Sequence, residues 1–567
     1  MAAADQCERT ETEIGKIDRR AIWFAMLLVG GVALAFRLPS CRESFWLDEL
    51  HSAWAVADNF SLVAPRAAAG NQTTGYFHLL WAWSALVGPD EFPMRLSSVL
   101  ASVLASVLLV VGVARRTGNV SAGVVAGGML AIDPNGVFFG CELRAYAFVM
   151  LYAVLAVWSM MAWLGASPER RDHGATMGRR HGSERSHGGA RWRLAMLFWI
   201  CVAALVHPTS LGVLALLVPF AVLVAWNRQR LRLWRADLIA VVIVSATLAA
   251  LVMSSLPESW ERRGLWKAFG QATTWWQLWY AWSWGPIVML PVGAAVVTFM
   301  ASRLVDALRP FRKVQDEDGP AQVDWIGMIP GSVGVIGTAL FFCASYFEWV
   351  PLWHRRYFVA ALPLMAWTAG ESSAICVAAV GGMLRRWSGQ RSGVNRIMTR
   401  AIGIAVAALL VGHMLWYQGT LQTLAAGRWP VQWRGEHWRG AVAEIREEIR
   451  DGDVVWLDSQ LIEASFLRQP ISSSGTISER QWEYLAFPLR GPYTLDPVVV
   501  VGAYEHESWI RHHLENLPRP GARVWLISRS GVRPTERFID RLNRYRPVTA
   551  EQVFPGRPVV YRLVFVE

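Results

Sequence analysis

The sequence predicts a multi-pass α-helical membrane protein that ends in a small α/β domain. Of its 567 residues, 53% are hydrophobic and only 17% are charged, and the mean hydropathy is +0.28. These values are too apolar for a single soluble globule. The chain also contains 31 tryptophans, a residue that membrane proteins concentrate at the two bilayer interfaces.

The positive charge of the chain follows the expected topology. The formal net charge is +11, which in a soluble protein would suggest a nucleic-acid partner. Here the arginines cluster in the segments between apolar runs, which is the positive-inside pattern of membrane proteins. This pattern favours anionic membrane lipids or a phosphorylated substrate as partners and argues against nucleic acid.

About eleven transmembrane helices are predicted, because an apolar run of about 20 residues is long enough to cross a bilayer. We place them at 21–37, 96–114, 120–139, 146–164, 194–208, 210–226, 238–256, 284–301, 327–348, 358–381 and 401–418. With residues 1–20 in the cytoplasm, every strongly basic connection falls on the cytoplasmic side. The same parity puts residues 419–567 on the exported, periplasmic side of the inner membrane.

One apolar segment, 74–87, is too short for a span at 14 residues. Counting it as a span would also move Arg115 and Arg116 to the exported side, against the charge pattern. We therefore predict that residues 38–94 form one large exported loop with interfacial helices. This loop belongs to a transmembrane domain that covers residues 21–418.

Residues 419–567 differ in composition from the rest, with apolar runs of about six residues and more charge. We predict strands at 453–457, 497–501, 524–527 and 561–566, and helices at 437–450, 505–516 and 534–544. Strands that alternate with helices indicate an α/β domain. The domain has no glycine-rich phosphate loop, so we expect no cofactor in it.

An acidic pair, Asp48 and Glu49, follows the first predicted span. Two adjacent carboxylates near a bilayer are costly to desolvate. They are either a solvated pair of loop charges or a site at which a general base activates an acceptor hydroxyl. The parity places further candidates on the same face, namely Tyr76, Arg95, Glu142, Arg144, His207, Arg355 and Arg356. Acids beside arginines predict a site for a lipid-borne, negatively charged substrate, because the guanidinium fork matches phosphate.

Several motifs, taken in order, resemble those of the GT-C superfamily of membrane glycosyltransferases, which includes protein O-mannosyltransferases and lipid A aminoarabinose transferases. The motifs are Trp46-Leu47-Asp48-Glu49, the segment 72–77, Arg95-Leu96, Cys141-Glu142-Leu143-Arg144-Ala145-Tyr146, Val206-His207-Pro208, Arg356-Tyr357 with Pro363, and Trp438-Arg439-Gly440-Ala441. The segment 72–77 departs from the family pattern, which has His-Pro-Pro or Lys-Pro there. The likeness covers most of the chain.

The resemblance implies that a sugar is transferred, with inversion, from a polyprenyl-phosphate carrier to an exported glycolipid, polysaccharide or protein. Asp48 would be the catalytic base and Glu49 its support. The residues that would bind substrate are Tyr76, Arg95, Glu142, Arg144, His207, Arg355 and Arg356.

Each of these roles has a structural alternative. Asp48 is otherwise a carboxylate paired with an arginine, and Glu142 is a partner of Arg144 or a ligand of a divalent cation. Arg95 and Arg144 are otherwise ion-pair partners. We expect no metal cofactor, because the chain has no HxxxH motif, and we treat His173, His181 and His187 as part of a basic linker.

Two other functions are compatible with the sequence. A transporter or flippase of lipid-linked substrates would carry charges within its spans and show repeated halves. The predicted spans have few central charges and no repeat is visible. A non-catalytic membrane scaffold that presents the exported domain would tolerate the loss of the Asp48 charge.

Overall fold

The structure, a computed structural model, describes residues 18–70, 72–165, 188–227, 270–307, 324–388, 392–461, 479–501, 507–515 and 523–566, with Asp237, Lys267 and short stretches within 239–250. It divides into two compact units. We call Met1–Pro39, Ser98–Cys141 and Ala145–Gln432 the membrane unit, and Ser40–Ser97, Glu142–Arg144 and Trp433–Glu567 the sheet unit.

The described part of the chain contains nine helices that are long and apolar enough to cross a membrane. They are Arg19–Arg42, Glu91–Thr117, Tyr146–Gly165, Gly189–Val206, Pro208–Asn227, Gly285–Val305, Trp325–Tyr346, Ala361–Leu384 and Ile397–Tyr417. A bent pair of helices, Val120–Ile132 and Pro134–Gly140, is together long and apolar enough to cross, and we count it as a tenth span. The ten match ten of the eleven predicted runs, which confirms a multi-pass helical membrane protein. The one predicted run without a counterpart, 238–256, lies largely outside the described residues.

The bend in the tenth span has a local cause. The two helices meet at 64°, and Asp133 lies at the break. Its Oδ1 accepts the N–H groups of Asn135 at 2.8 Å and Gly136 at 3.0 Å, so it caps the second helix. Pro134 follows at the first helical position, where its missing N–H costs nothing. The sequence Asp-Pro therefore ends one helix and begins the next.

The helix Ala361–Ser388 is the centre of the membrane unit. It packs against Val120–Ile132, Leu290–Ala307 and Ile329–Tyr346. Trp367 on this helix is completely buried. A Cβ at Gly370 would lie 2.7 Å from the carbonyl oxygen of Ala122, so only glycine allows the two helices to approach this closely.

The sheet unit holds five strands and seven helices, together with the start of Glu91–Thr117, among its described residues. The strands are β1 Val454–Asp458, β2 Val498–Val500, β3 Arg523–Ser528, β4 Val548–Phe554 and β5 Val559–Phe565. The helices are Leu47–Val56, Phe60–Ala69, Thr74–Val87, Trp438–Glu448, Glu479–Arg490, Glu507–Glu515 and Val532–Tyr545.

The strand order is β2-β1-β3-β5-β4. β1 runs parallel to β2 and β3, whereas β5 is antiparallel to both β3 and β4. This confirms the predicted α/β domain, but β4 and the helix Glu479–Arg490 were not predicted. β4 is mostly exposed, so it lacks the apolar run by which the other strands were found.

The core of the sheet follows from the sequence pattern. Strands β1 and β3 read as nearly continuous apolar runs, as parallel strands covered on both faces do. The helix Val532–Tyr545 buries Phe538, Ile539 and Leu542 on one side, at the spacing of an amphipathic helix. The segment 74–87 is also helical, as predicted, while its interfacial location stays a prediction.

Candidate active site

The acidic pair lies in the first turn of the helix Leu47–Val56, which we call the acidic helix. Asp48 is 4% exposed and Glu49 is completely buried. Glu49 Oε2 accepts the backbone N–H of Trp46 at 3.4 Å, which is one half of a capping box. Carboxylates are also favoured here by the helix dipole. The burial argues against the interpretation of the pair as solvated loop charges.

Glu49 is bonded on all sides. Its Oε1 accepts Arg95 Nε at 2.8 Å and the backbone N–H of Leu143 at 2.8 Å, and its Oε2 accepts Arg95 Nη2. Arg434 Nε lies 3.7 Å from Oε1. Burial acts to raise the pKa of Glu49, but the charges of Arg95 and Arg434 and these hydrogen bonds outweigh it and lower the pKa. Glu49 is therefore an ionised, fully engaged carboxylate, suited to support rather than to proton transfer.

Arg95 is also completely buried. Besides Glu49, its guanidinium donates to the carbonyl oxygens of Cys41 at 3.0 Å and Ser44 at 3.1 Å, and to that of Glu43. These bonds hold the chain just before the acidic helix in place. They favour the structural alternative, an ion-pair partner, over the substrate-binding role that the resemblance implies for Arg95.

Asp48 has a different environment from Glu49. Its Oδ1 lies 3.6 Å from Arg144 Nη2. Arg144 Nη1 also lies 3.3 Å from Ser52 Oγ and 3.5 Å from His51 Nδ1. Asp48 thus shares the Arg144 cation with two neutral groups on its own helix.

His51 completes this group as a neutral side chain. Its Nε2 lies 3.2 Å from the carbonyl oxygen of Arg66, so Nε2 carries the proton and Nδ1 faces Arg144 as an acceptor. Burial and the positive charge of Arg144 lower the pKa of His51 to about 3. His51 is therefore uncharged throughout the physiological range and adds no second positive charge beside Asp48.

Glu142 is a buried carboxyl group without a hydrogen bond. It is 1% exposed, and neither of its oxygens has a hydrogen-bond partner among the described residues. Burial and the neighbouring charge of Asp48 raise the pKa of Glu142 to about 8. With a pKa of about 8, the Glu142 carboxyl group holds its proton at neutral pH.

Of the other predicted site residues, Tyr76 also lies in the sheet unit. It is 2% exposed and packs edge-on against Phe77, with ring centroids 5.3 Å apart. The structure therefore brings Asp48, Glu49, Arg95 and the pair Glu142 and Arg144 into one charged cluster, and places Tyr76 in an aromatic contact.

The remaining candidates lie in the membrane unit. His207 packs edge-on against Tyr146 at 5.3 Å and stacks on Tyr357 at 6.4 Å. The Arg356 guanidinium lies 5.7 Å from the ring centre of Tyr357. The structure thus joins His207 and Arg356 through the Tyr357 ring.

Arg355, the neighbour of Arg356, is held by its surroundings. Its Nη1 donates to Asn135 Oδ1 at 3.2 Å and its Nη2 to the carbonyl oxygen of Tyr280 at 2.6 Å. Two hydrogen bonds to uncharged groups fix the guanidinium, and Asp133 is an acidic neighbour that attracts it. The adjacent Arg355 and Arg356 place two guanidinium groups next to each other in the chain.

Sequence reasoning missed Arg434 and Glu436, which both contact the cluster. Arg434 Nη1 lies 2.9 Å from Glu43 Oε2, and Glu436 Oε1 accepts the N–H of Leu47 at 3.4 Å. Nearly 400 residues separate these partners along the chain, so no local pattern connects them. The only signal is an opposite-charge pair around Gly435, just before the predicted helix at 437–450.

Among the residues that the structure describes, no group of three or more His, Cys, Asp or Glu side chains has the arrangement of a metal site. The expectation that the protein needs no metal stays a prediction. His173, His181 and His187 lie outside the described residues.

No protein-family model matches the chain, and no curated protein matches it. Two solved structures are similar to it. ArnT from Cupriavidus metallidurans in the apo state shares 12% identity at a TM-score of 0.42, over 95% of this chain and 97% of that one. The oligosaccharyltransferase from Archaeoglobus fulgidus in the apo form shares 10% identity at a TM-score of 0.37, over 89% and 69%.

Proposed function

We propose that the protein is an integral membrane glycosyltransferase that moves a sugar from a polyprenyl-phosphate carrier to an acceptor on the exported side of the inner membrane. One observation carries the proposal. Asp48, directly after the first span, is buried 3.6 Å from Arg144 Nη2 and close enough to Glu142 to raise the pKa of that carboxyl group. A buried carboxylate beside an arginine and a second carboxyl group suits a general base.

The proposed reaction is a single displacement at the anomeric carbon. Asp48 takes the proton of the acceptor hydroxyl as its oxygen attacks, and the bond from the anomeric carbon to the carrier phosphate breaks with inversion. The electron pair leaves on the phosphate oxygen. A phosphate leaving group needs positive charge rather than a protonating acid, and we propose that Arg356, with Arg355 beside it, supplies this charge.

Glu142 fits acceptor binding in this scheme. Because it is protonated at neutral pH, it donates one hydrogen bond and accepts others. A sugar or hydroxyl acceptor can use both. The donor is proposed to be lipid-linked because nucleotide sugars are not available on the exported side. We propose no organic cofactor.

The test compares the purified wild type with Asp48→Asn, using membrane lipid extract that carries labelled polyprenyl-phosphate sugars and the delipidated envelope fraction as acceptor. We expect the wild type to release the label from the lipid, and Asp48→Asn to be slower by about 100-fold or more. The control is Asp540→Asn, which removes an exposed carboxylate from the helix Val532–Tyr545 of the same unit.

Equal transfer by the wild type and Asp48→Asn would reject Asp48 as the base. If labelled lipid crosses proteoliposome membranes that contain the wild type without losing its sugar, the protein is a flippase instead. A wild type that neither consumes nor moves any donor would contradict the proposed function and favour the scaffold.

A further inference from the structure

Arg434, just before the helix Trp438–Glu448, connects the C-terminal α/β domain to the acidic helix. Its side chain is 1% exposed. Its Nη1 lies 2.9 Å from Glu43 Oε2, its backbone N–H donates to Glu43 Oε1 at 3.1 Å, and its Nε lies 3.7 Å from Glu49 Oε1. Arg95 also donates to Glu49, so two acids and two arginines lie together in a buried environment. Such a group is stable only while every partner is present.

Glu436 makes a second connection, two residues further along. It is 2% exposed. Its Oε1 accepts the backbone N–H of Leu47 at 3.4 Å, and its Oε2 accepts Trp438 Nε1 at 2.9 Å. Leu47 is the first residue of the acidic helix, and its N–H has no partner within the helix. A carboxylate there also complements the positive end of the helix dipole.

Arg529 links Glu436 to the sheet. It follows the last residue of β3, and its Nε donates to Glu436 Oε1 at 2.8 Å. Its backbone N–H donates to the carbonyl oxygen of Asp458 at 2.9 Å, at the end of β1. Arg529 is therefore fixed at the carboxyl ends of two parallel strands. It binds Glu436, and Glu436 in turn binds the first residue of the acidic helix.

We infer that Arg434 and Glu436 are positioning residues for the proposed base, and that the C-terminal α/β domain fixes Asp48 in its working geometry. Arg434 acts through Glu49, the residue after Asp48, and Glu436 acts through Leu47, the residue before Asp48. The inference rests on the proposed function, in which a displacement of about 1 Å at a catalytic group costs about 100-fold in rate.

The first experiment needs no substrate. Hydrogen exchange of the full chain in nanodiscs is followed by mass spectrometry for Arg434→Gln, Glu436→Gln and the wild type. We expect the peptide that covers residues 43–56 to exchange at least 10-fold faster in both variants, while strands β1 and β3 keep their protection. The control is Arg562→Gln, which removes an arginine that pairs with Glu448 and Glu551 in the same domain.

Unchanged exchange at 43–56 in both variants would overturn the inference, whatever the activity of the wild type. If Arg434→Gln does not fold, Arg434→Lys and Glu436→Gln are compared instead. Lysine keeps the positive charge, but its single ammonium group cannot contact Glu43 and Glu49 together as the guanidinium does. We therefore expect the exchange rate of Arg434→Lys at 43–56 to lie between those of the wild type and Glu436→Gln.

The second experiment measures transfer of label from the lipid extract. We expect kcat to fall at least 10-fold in Arg434→Gln and Glu436→Gln with the KM for lipid donor nearly unchanged, and Arg434→Lys to recover part of the loss. Faster exchange at 43–56 with full kcat would show that the domain orders the helix without positioning the base. A wild type without transfer would reject the proposed function and leave the exchange result to decide whether the domain holds the helix.

Discussion

The carboxylate of Glu49 accepts the backbone N–H of Leu143 at 2.8 Å, across 94 positions of the chain. This hydrogen bond joins the loop after the first span to the short turn Glu142–Arg144. It brings Asp48, the residue before Glu49, within electrostatic reach of Glu142, the residue before Leu143. The effect of Asp48 on the pKa of Glu142 shows this. Glu49 therefore holds the cluster together, and Asp48 beside it is the proposed base.

Replacing Glu142 with glutamine should make the stability of the protein less dependent on pH. The pKa of Glu142 rises from an ordinary 4.5 to about 8 on folding, so the folded state binds the extra proton between these values. Stability from this group is complete below pH 4.5 and is lost as the pH rises through 8. We expect Glu142→Gln to match the wild type near pH 5 and to melt a few degrees higher at pH 8.5, as measured by thermal unfolding.

The control for this prediction is Glu444→Gln, which changes an exposed glutamate on the helix Trp438–Glu448. Its melting temperature should follow that of the wild type at every pH. A Glu142→Gln variant whose melting temperature falls below that of the wild type at pH 8.5 would mean that the ionised carboxylate is stabilised in the fold.

Removing the Arg144 charge should release both Asp48 and His51. We expect Arg144→Gln to lower kcat by about 10- to 100-fold, because Asp48 loses the group that orients it, and Arg144→Lys to lower it less. The positive charge of Arg144 is one cause of the low pKa of His51, so that pKa should rise above 3 in Arg144→Gln. NMR titration of labelled histidine tests this independently of activity.

The surface variant Arg446→Gln serves as the control for Arg144, since Arg446 donates to Thr494 away from the cluster. An unchanged His51 titration in Arg144→Gln would contradict the contact between the two side chains.

Gly70 is predicted to tolerate no side chain. A Cβ there would lie 2.2 Å from His51 Nε2 and 2.4 Å from Cε1, so the ring would have to leave its bond to Arg66. We expect Gly70→Ala to destabilise the protein by about 1–3 kcal/mol, seen as a lower melting temperature. Gly31→Ala is the matched control, because a Cβ at Gly31 meets no atom within 4 Å. Equal melting temperatures would show that His51 has room to move.

Arg356 is predicted to bind the carrier phosphate. We expect Arg356→Gln to raise the KM for the lipid donor about 10-fold, which corresponds to the loss of one charged hydrogen bond. Arg355→Gln should raise it less, because the Arg355 guanidinium is already bonded to Asn135 and Tyr280. Initial rates over a range of donor concentrations distinguish the two. A larger effect from Arg355 would reverse the assignment.

The secondary structure of the sheet unit shows how far local pattern reaches. β1 and β3 were predicted because strands covered on both faces must be apolar throughout. β4 was not predicted because its side chains are largely exposed. It lies at the edge of the sheet, where backbone pairing with β5 stabilises it without an apolar run. Whether such a segment forms an edge strand therefore depends on the strand with which it pairs.

The same limit applies to the charged cluster. The acidic pair could be singled out because two carboxylates beside an apolar span are costly without a purpose. Nothing local distinguishes Asp48 from Glu49, however. Besides the local N–H of Trp46, the partners of Glu49 are Arg95, Leu143 and Arg434, and each of these comes from a distant part of the chain.

The sequence by itself determined that the protein crosses the membrane many times, since hydropathy and charge placement are properties of short segments. It also determined the α/β character of the C-terminal region through the length and period of its apolar runs. Tertiary structure alone decided which carboxyl group stays protonated and which arginine holds which acid. Electrostatic free energies in a buried cluster depend on distance and desolvation, and these exist only once residues far apart in the chain have come together.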